Sequence, residues 1–245
     1  VWLGWQRMMA GSFVHLYVYL FALVFGIIGY IDDYQKVKHH QNTGLTAPQK
    51  FILQLAAAVA FLCLMRYEGM LSPNLYIPFW NTHIVLPWIV YLAFAAFVIV
   101  GTVNAVNITD GLDGLSSSVT VPVGLFFLVM AVIWPGFEQL GLFSGALVGG
   151  LLGFLLYNHY PAKVFMGDTG STFLGYILAT LSITGLFKMY ALISFAVPFL
   201  ILGIPIFDIS FAFLRRIAHG QNPMKADRGH FHHRPIDMGF SQKQA

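Results

Sequence analysis

Seven long stretches of mainly apolar residues dominate this chain, and such runs are long enough to cross the roughly 30 Å hydrocarbon layer of a bilayer as helices. The stretches cover approximately residues 12–31, 51–66, 84–104, 115–134, 141–158, 171–187 and 190–214. Charged residues make up only 9% of the sequence, against about a quarter in a soluble domain. A membrane β-barrel requires alternating strands of roughly ten residues, which continuous runs do not provide. The sequence therefore predicts an all-α fold, a polytopic membrane helix bundle with about seven transmembrane helices in this chain.

Basic residues concentrate in every second loop of this bundle. Ten of the thirteen lysines and arginines lie in the segments 32–50, 104–114, 158–170 and 215–245. The intervening loops contain only Lys188, with Arg66 at the edge of one of them. Since cytoplasmic loops carry an excess of lysine and arginine, the four basic segments are predicted to face the cytoplasm. The chain is accordingly expected to form a single membrane domain over residues 1–245, ending in a cytoplasmic loop, 215–245, that is rich in histidine and arginine.

The acidic residues are also distributed unevenly. Eight of the ten fall on or near the predicted cytoplasmic side, and these eight are Asp32, Asp33, Asp110, Asp113, Asp168, Asp208, Asp227 and Asp237. Carboxylate oxygens are the ligands that Mg²⁺ prefers, usually together with substrate phosphates. An aspartate beside a helix end can equally be a helix cap or a partner in a surface ion pair. Because four separate motifs bring aspartates to one side, the pattern favours a divalent-cation site.

The first motif places Asp32 and Asp33 at the end of the first apolar run, followed by Lys36 and Lys38. Neighbouring residues on a helix point about 100° apart, so one carboxylate can face a cleft while the other meets a different partner. A carboxylate beside a second carboxylate is suited to act as a general base. An ordinary C-terminal helical turn would explain the lysines, which favour that end of the helix dipole, but not the aspartates.

The second motif is the polar stretch 104–115, which follows the third apolar run. Asn107, Asp110 and Asp113 are spaced by three residues, so a helical conformation would align them on one face. The glycines within the stretch favour instead a looped backbone whose amides can approach an anion. Polar side chains and irregular backbone at membrane depth are tolerated only around a cavity or under protein cover. Either conformation therefore predicts a polar cleft.

The third motif spans residues 158–171. Pro161 is expected to stop the preceding helix, and Asp168 with the following Thr-Gly-Ser is expected to cap the next one. A helix N-terminus attracts anions. A capping aspartate alone would account for the motif, but Lys163 and Phe165 beside it favour a site for a phosphate and a flat ring.

The fourth motif lies in the segment 225–234, which contains His230, His232, His233 and Arg234. The spacing of these histidines matches none of the structural zinc patterns. Phosphate binding by arginine and histidine at the mouth of a cleft is the favoured interpretation, and a basic patch on acidic lipid is the alternative.

Four sequence segments, in this order, carry a resemblance to a known family. They are Tyr-Ile-Asp-Asp-Tyr at 30–34, Asn-Ala-Val-Asn-Ile-Thr-Asp-Gly-Leu-Asp-Gly at 104–114, Pro-Ala-Lys-Val-Phe-Met-Gly-Asp-Thr-Gly-Ser at 161–171 and Asp-Arg-Gly-His-Phe-His-His at 227–233. Together they resemble the polyprenyl-phosphate N-acetylhexosamine-1-phosphate transferases. Such enzymes have ten transmembrane helices, so the chain is expected to be short by about two at its N-terminus and one at its C-terminus.

The resemblance points to two branches of this family. The first and second segments are most similar to the phospho-N-acetylmuramoyl-pentapeptide transferases (MraY), whereas Arg234 after two histidines and the Pro-Ile-Phe-Asp at 205–208 resemble the GlcNAc-1-phosphate transferases. The first branch implies transfer of phospho-MurNAc-pentapeptide from UDP-MurNAc-pentapeptide to undecaprenyl phosphate, giving lipid I and UMP in peptidoglycan synthesis. The second implies transfer of GlcNAc-1-phosphate from UDP-GlcNAc. Either activity implies a multi-pass enzyme of the bacterial inner membrane whose site faces the cytoplasm.

The resemblance also implies roles for individual residues and a Mg²⁺ cofactor. It assigns Asp168 to magnesium and Asp32 or Asp33 to deprotonating or orienting the lipid phosphate. The residues implied to form the uridine pocket, with the Phe165 ring on uracil, are Leu112, Asp113, Asn158 and Phe165. The residues implied to hold phosphates, metal or the sugar side are Lys36, Lys50, Asn107, Asp110, His232 and His233.

Other functions are compatible with parts of the pattern. An ion-coupled transporter also places carboxylates in helix-lined cavities, but it favours acids near mid-membrane and an inverted repeat, and no such repeat is evident in the sequence. A scaffold without enzymatic activity has little use for four polar motifs on one side. The expected partners are undecaprenyl phosphate, a UDP-sugar and the bilayer, with no nucleic acid. The small residues from Gly145 to Gly153 predict close packing against a neighbouring helix or against a second subunit in a homodimer.

Overall fold

The computed structural model describes residues 14–41, 43–77, 82–133 and 138–186, together with residue 9. Its helices are α1 (Val14–His39), α2 (Ala47–Tyr67), α3 (Trp88–Thr109), α4 (Leu115–Ile133), α5 (Glu138–Asn158) and α6 (Gly167–Leu186). A short antiparallel hairpin, β1 (Asn74–Ile77) and β2 (Thr82–Val85), lies between α2 and α3. The predicted helical membrane bundle is confirmed. The apolar run 190–214 and the loop 215–245, with His232 and His233, lie outside the described residues.

Five of these helices are long and apolar enough to span a membrane: Leu16–His39, Ala47–Tyr67, Trp88–Thr109, Leu115–Ile133 and Leu140–Asn158. The span predicted at 171–187 overlaps α6 and is not among these five, so it stays a prediction. Most residues of α6 from Ser171 to Ile183 are nevertheless buried. Helix α6 therefore packs against protein along most of this length.

Helix α1 continues to His39 instead of ending at Asp32 and Asp33. The Nζ atom of Lys36 lies 2.6 Å from Oδ2 of Asp32, one turn earlier on the same helix. Ion pairs at this spacing support a helix, and the basic residues of its last turn interact favourably with the dipole. The polar end of α1 is therefore helical despite its charges.

The start of α3 also differs from the predicted run at 84–104. Residues 82–85 form β2, which pairs with β1 through partners such as His83 and Tyr76. Pro87 then precedes the first helical residue, Trp88, and its carbonyl accepts the backbone N–H of Tyr91 at 3.0 Å. Pro87 thus divides the apolar run between a strand and a helix. The fold is helical, as predicted, with the addition of one small hairpin.

Helix α2 begins in a way that fixes Lys50 in its first turn. The backbone N–H of Thr46 donates to Oε1 of Gln49 at 3.0 Å, and the N–H of Lys50 donates to the carbonyl of Thr46 at 3.0 Å. Reciprocal contacts of this kind satisfy amides that lack partners at a helix start. Lys50 is therefore held by local backbone structure.

The chain divides into two compact units, Val1–Val103 with Asp168–Phe187, and Asn104–Gly167 with Lys188–Ala245. In the first unit, α1, α2 and α6 share an aromatic core. The ring of Tyr176 stacks on that of Phe25 with centroids 4.8 Å apart and meets that of Phe61 edge-on at 5.4 Å. All three side chains are buried. This core packs together the three helices that carry the charged residues.

In the second unit, α4 packs against α5 through small residues. A Cβ atom built on Gly124 would lie 2.6 Å from a methyl group of Val148, and one built on Gly145 would lie 3.6 Å from Leu128. Glycine lets two membrane helices approach closely. Gly145 therefore packs on the neighbouring helix α4, and the homodimer stays a prediction.

Candidate active site

Five charged residues meet in the first unit, and we call them the carboxylate–lysine cluster. Its members are Asp32, Asp33, Lys36, Lys50 and Asp168. Each of the three carboxylates offers an oxygen, and these oxygens lie within 4.8 Å of one another. The cluster combines residues from the end of α1, the first turn of α2 and the first turn of α6. The structure thus brings together the aspartates of the first and third motifs.

The lysines connect the carboxylates. The Nζ atom of Lys36 lies 2.6 Å from Oδ2 of Asp32 and 2.6 Å from Oδ2 of Asp168. The Nζ atom of Lys50 lies 2.9 Å from the same oxygen of Asp168 and 3.9 Å from Oδ2 of Asp32. One oxygen of Asp168 therefore receives two ammonium groups. Three ionised carboxylates against two ammonium groups leave the cluster one negative charge in excess.

Asp32 is held on both of its oxygens. Its side chain is buried, with the residue only 3% exposed. Oδ2 pairs with Lys36, while Oδ1 accepts the backbone N–H of Leu45 at 2.7 Å. The loop before α2 lies so close that a Cβ atom on Gly44 would be 2.6 Å from Oδ1 of Asp32. These contacts tie Asp32 to the loop before α2 and to the Lys36 ammonium.

Asp33 points to a different element from Asp32. Its Oδ1 accepts the backbone N–H of Asp168 at 3.2 Å, and its Oδ2 accepts the backbone N–H of Thr169 at 2.9 Å and the Thr169 hydroxyl at 2.7 Å. The sequence predicted that Asp168 and the following Thr-Gly-Ser would cap this helix. Instead Gly167, at φ +65°, is already the first residue of α6, so Asp168 lies inside the first turn and the capping carboxylate comes from α1.

The donor set fits a divalent cation. Mg²⁺ is usually bound by one or two carboxylates together with water and substrate phosphates. The Lys36 ammonium lies 2.6 Å from an oxygen of Asp32 and 2.6 Å from an oxygen of Asp168, so the space between these carboxylates accommodates a positive charge. Asp33 contributes a third carboxylate oxygen to the group, although both of its oxygens accept hydrogen bonds from α6.

The second unit holds the nucleoside-pocket candidates in two connected loops. The N–H of Ala162 donates to Oδ2 of Asp113 at 3.0 Å, which ties the turn after α3 to the loop after α5. Nδ2 of Asn158 donates to the carbonyl of Val164 at 3.0 Å, and the Ser117 hydroxyl donates to Oδ1 of Asn158 at 3.5 Å. Asn158 is only 3% exposed. These contacts make the loop conformation depend on two of the predicted residues.

The structure of the second motif combines the helical and the looped conformations that were predicted for it. Asn107 lies in the last turns of α3, which ends at Thr109. Asp110 and Asp113 belong to the following turn, which closes at Gly114 with φ +73°. A residue with positive φ favours glycine because it has no Cβ atom. The glycine therefore marks the end of the turn, and the three polar residues are not aligned on one helix.

The side chains expected to contact a base differ in accessibility. Phe165 is 71% exposed, which leaves its ring available to a ligand. Leu112 and Asp113 are half-buried in the turn. His232 and His233 of the fourth motif lie outside the described residues. The other candidates form one set in each unit.

Two residues contribute to this arrangement although the motifs did not single them out. Ser117 supports Asn158, and Gly29 lets α1 approach α6 closely. A glycine in an apolar helical run indicates a close helix contact, so Gly29 was detectable. The serine had no distinguishing signal in the sequence, whereas Thr169, which donates its hydroxyl to Asp33, belongs to the third motif.

Comparison with known proteins gives one family and several relatives. Residues 15–186 match the family described as "Glycosyl transferase family 4". A "Probable undecaprenyl-phosphate N-acetylglucosaminyl 1-phosphate transferase" of Bacillus subtilis is 37% identical over 225 residues, which cover 91% of this chain and 59% of that protein. A "Phospho-N-acetylmuramoyl-pentapeptide-transferase" of Clostridium acetobutylicum is 45% identical over 161 residues, 65% of this chain and 49% of that protein.

A further relative with the same name, from Staphylococcus carnosus, is 47% identical over 167 residues, 67% of this chain and 51% of that protein. The chain thus spans about half the length of the curated relatives it matches.

Proposed function

Because this chain belongs to glycosyl transferase family 4, within the polyprenyl-phosphate N-acetylhexosamine-1-phosphate transferases, we propose that it transfers phospho-MurNAc-pentapeptide from UDP-MurNAc-pentapeptide to undecaprenyl phosphate. The products are lipid I and UMP, and the reaction belongs to peptidoglycan synthesis. The bilayer supplies the lipid acceptor, and the basic loops favour a site on the cytoplasmic side of the bacterial inner membrane.

The carboxylate–lysine cluster is the observation that carries this proposal. Phosphoryl transfer requires mainly positioning of the phosphates and neutralisation of their charge. Lys36 and Lys50 direct two ammonium groups to one oxygen of Asp168. Ammonium groups held by carboxylates in this way are ready to bind phosphate oxygens without a large rearrangement.

The proposed reaction is a single exchange at phosphorus. An oxygen of undecaprenyl phosphate attacks the β-phosphorus of the UDP-sugar, a new phosphorus–oxygen bond forms, and the bond from that phosphorus to the bridging oxygen breaks. UMP leaves with the bridging oxygen. In this step Lys36 and Lys50 bind the phosphates, and Asp32 orients the Lys36 ammonium through its 2.6 Å ion pair.

The proposal includes magnesium, with Asp168 as its ligand. When bound there, Mg²⁺ would neutralise charge on the diphosphate and on the UMP that leaves. Asp168 is suited to this role because its side chain retains partial exposure while Lys36 and Lys50 hold one of its oxygens in place.

The second unit is proposed to recognise the nucleoside. The exposed ring of Phe165 offers a stacking surface for uracil. Asn158, Leu112 and Asp113 are proposed to complete the pocket, with the hydrogen bonds of Asn158 and Asp113 fixing the loops. The residues proposed to contact the phosphates, metal or sugar in addition to the cluster are Asn107, Asp110, His232 and His233.

UDP-GlcNAc is the second candidate donor. The relative from Bacillus subtilis that covers 91% of this chain is named for N-acetylglucosaminyl 1-phosphate transfer, and the Arg234 ending resembles that branch. The transfer chemistry and the cluster would be the same, so the two proposals differ only in the sugar that is recognised.

Parallel assays distinguish these functions. The purified membrane protein is incubated with undecaprenyl phosphate, Mg²⁺ and either UDP-MurNAc-pentapeptide or UDP-GlcNAc, and UMP and lipid-linked sugar are measured. We expect equal amounts of UMP and lipid product with the first donor. Product with UDP-GlcNAc alone would select the second candidate, and no product with either would refute the transferase proposal. Ion flux in proteoliposomes without UMP release would instead support the transporter.

A further inference from the structure

One face of α1 follows α6 over three successive turns. Phe25, Gly29 and Asp33 are spaced by four residues, so they share a face of the helix. The Phe25 carbonyl accepts the Thr172 hydroxyl at 2.8 Å. A Cβ atom built on Gly29 would lie 2.6 Å from that hydroxyl oxygen and would overlap the carbonyl oxygen of Asp168. Asp33 is therefore the last member of a helix contact.

Asp33 satisfies amides that the start of a helix leaves without partners. The first four N–H groups of an α-helix have no acceptor within that helix. Asp33 accepts the N–H groups of Asp168 and Thr169 on separate oxygens, at 3.2 and 2.9 Å, and also accepts the Thr169 hydroxyl at 2.7 Å. Its negative charge is favourable at the positive end of the helix dipole.

The neighbouring carboxylate has different partners. Asp32 points about 100° away around α1, where it pairs with Lys36 and accepts the N–H of Leu45. Although the two aspartates are adjacent, they therefore organise different parts of the unit. Asp32 holds the loop before α2, and Asp33 holds the start of α6.

We propose that Asp33 is a positioning residue that caps α6 from α1 and thereby sets the place of Asp168 in the cluster. In this account Asp33 does not take a proton from the lipid phosphate. Its effect on turnover passes through Asp168, whose backbone N–H it binds. The effect on turnover rests on the proposed function, whereas the capping contact is measurable in the resting protein.

Hydrogen exchange tests the capping contact directly. Exchange is followed by mass spectrometry in the peptide around residues 167–172, in EDTA, so that bound metal contributes nothing. The variants are Asp33→Ala and Asp33→Asn, with Asp32→Asn as a matched control that removes the adjacent charge. We expect exchange of the first-turn amides to rise on the order of fivefold in Asp33→Ala, as when one helix cap is lost.

The two variants of Asp33 should differ in degree. Asparagine keeps one carbonyl oxygen that can accept an amide, so Asp33→Asn should show an intermediate increase, and Asp32→Asn should show none in this peptide. The Mg²⁺ concentration that gives half-maximal UMP release should likewise rise more in Asp33→Ala than in Asp33→Asn. Unchanged exchange in both Asp33 variants would overturn the proposal, even if their activity were lost.

A second pair of variants keeps the test valid if Asp33 variants fail to fold. Gly29→Ala forces α1 and α6 apart without changing a charge, whereas a Cβ atom on Gly26 would lie an ordinary 3.7 Å from Phe173. We expect faster exchange at the start of α6 in Gly29→Ala and no change in Gly26→Ala. Exchange equal to that of the parent in both glycine variants would contradict the contact between α1 and α6. Because exchange requires no substrate, the capping result stands even if the transferase proposal fails.

Discussion

Replacing Phe165 by alanine should weaken binding of the UDP-sugar while leaving the chemical step intact. Phe165 is 71% exposed, so removing its ring should change the stability of the fold little. Stacking of a base on an aromatic side chain is worth about 1–3 kcal/mol by alanine substitution. At about 1.4 kcal/mol for each factor of ten, KM should rise about fivefold to about 150-fold.

The kinetic pattern identifies the role of the ring. A contact that binds the donor equally in the ground and transition states raises KM with kcat unchanged when it is lost. The assay is initial-rate UMP release at varied UDP-sugar and saturating undecaprenyl phosphate. Val164→Ala, at a neighbouring exposed position, is the control and should leave KM unchanged, while Phe165→Trp should restore most of the affinity. An unchanged donor affinity in Phe165→Ala would refute the stacking proposal.

Three further substitutions test other contacts. In Gly44→Ala, the new Cβ atom would lie 2.6 Å from Oδ1 of Asp32 and displace the hydrogen bond that this oxygen accepts from the Leu45 N–H. The protein should lose about 1.5–3 kcal/mol of stability, the range for a hydrogen bond to a charged group. An unfolding midpoint equal to that of the parent would contradict this. Lys50→Met keeps the apolar stem but removes the ammonium 2.9 Å from Asp168, so kcat/KM for UMP release should fall about tenfold or more; parental kcat/KM would exclude a phosphate role. Asn158→Ala should raise the donor KM and lower the thermal midpoint together, since it removes a buried hydrogen bond worth about 1 kcal/mol; a KM and a midpoint both equal to those of the parent would show that the loop does not depend on it.

The helical bundle was predictable because lipid imposes a simple constraint. Apolar runs must form their hydrogen bonds internally, so helices follow from length and composition. The ends of the helices were less predictable, because they depend on particular side chains. The charged end of α1 stays helical through the ion pair of Asp32 and Lys36, and Pro87 divides one apolar run between β2 and α3.

The candidate site was predictable as a set of residue types but not as a set of contacts. Helix geometry indicates that Asp32 and Asp33 point in different directions, yet it cannot say which one meets α6. That partner lies 135 residues away in the sequence. The capping role of Asp33 therefore depended on the packing of α1 against α6, which only Gly29 signalled.

The central claim is that Asp168 and its lysines form the phosphate and magnesium centre of a transferase. The most direct measurement is Mg²⁺-dependent UMP release by Asp168→Asn, with folding verified by an unchanged elution profile and circular dichroism spectrum. The substitution removes the charge that receives Lys36 and Lys50 at 2.6 and 2.9 Å but keeps the size of the side chain. We predict that UMP release falls to background at every Mg²⁺ concentration. Turnover at the parental rate in the folded variant would contradict the claim.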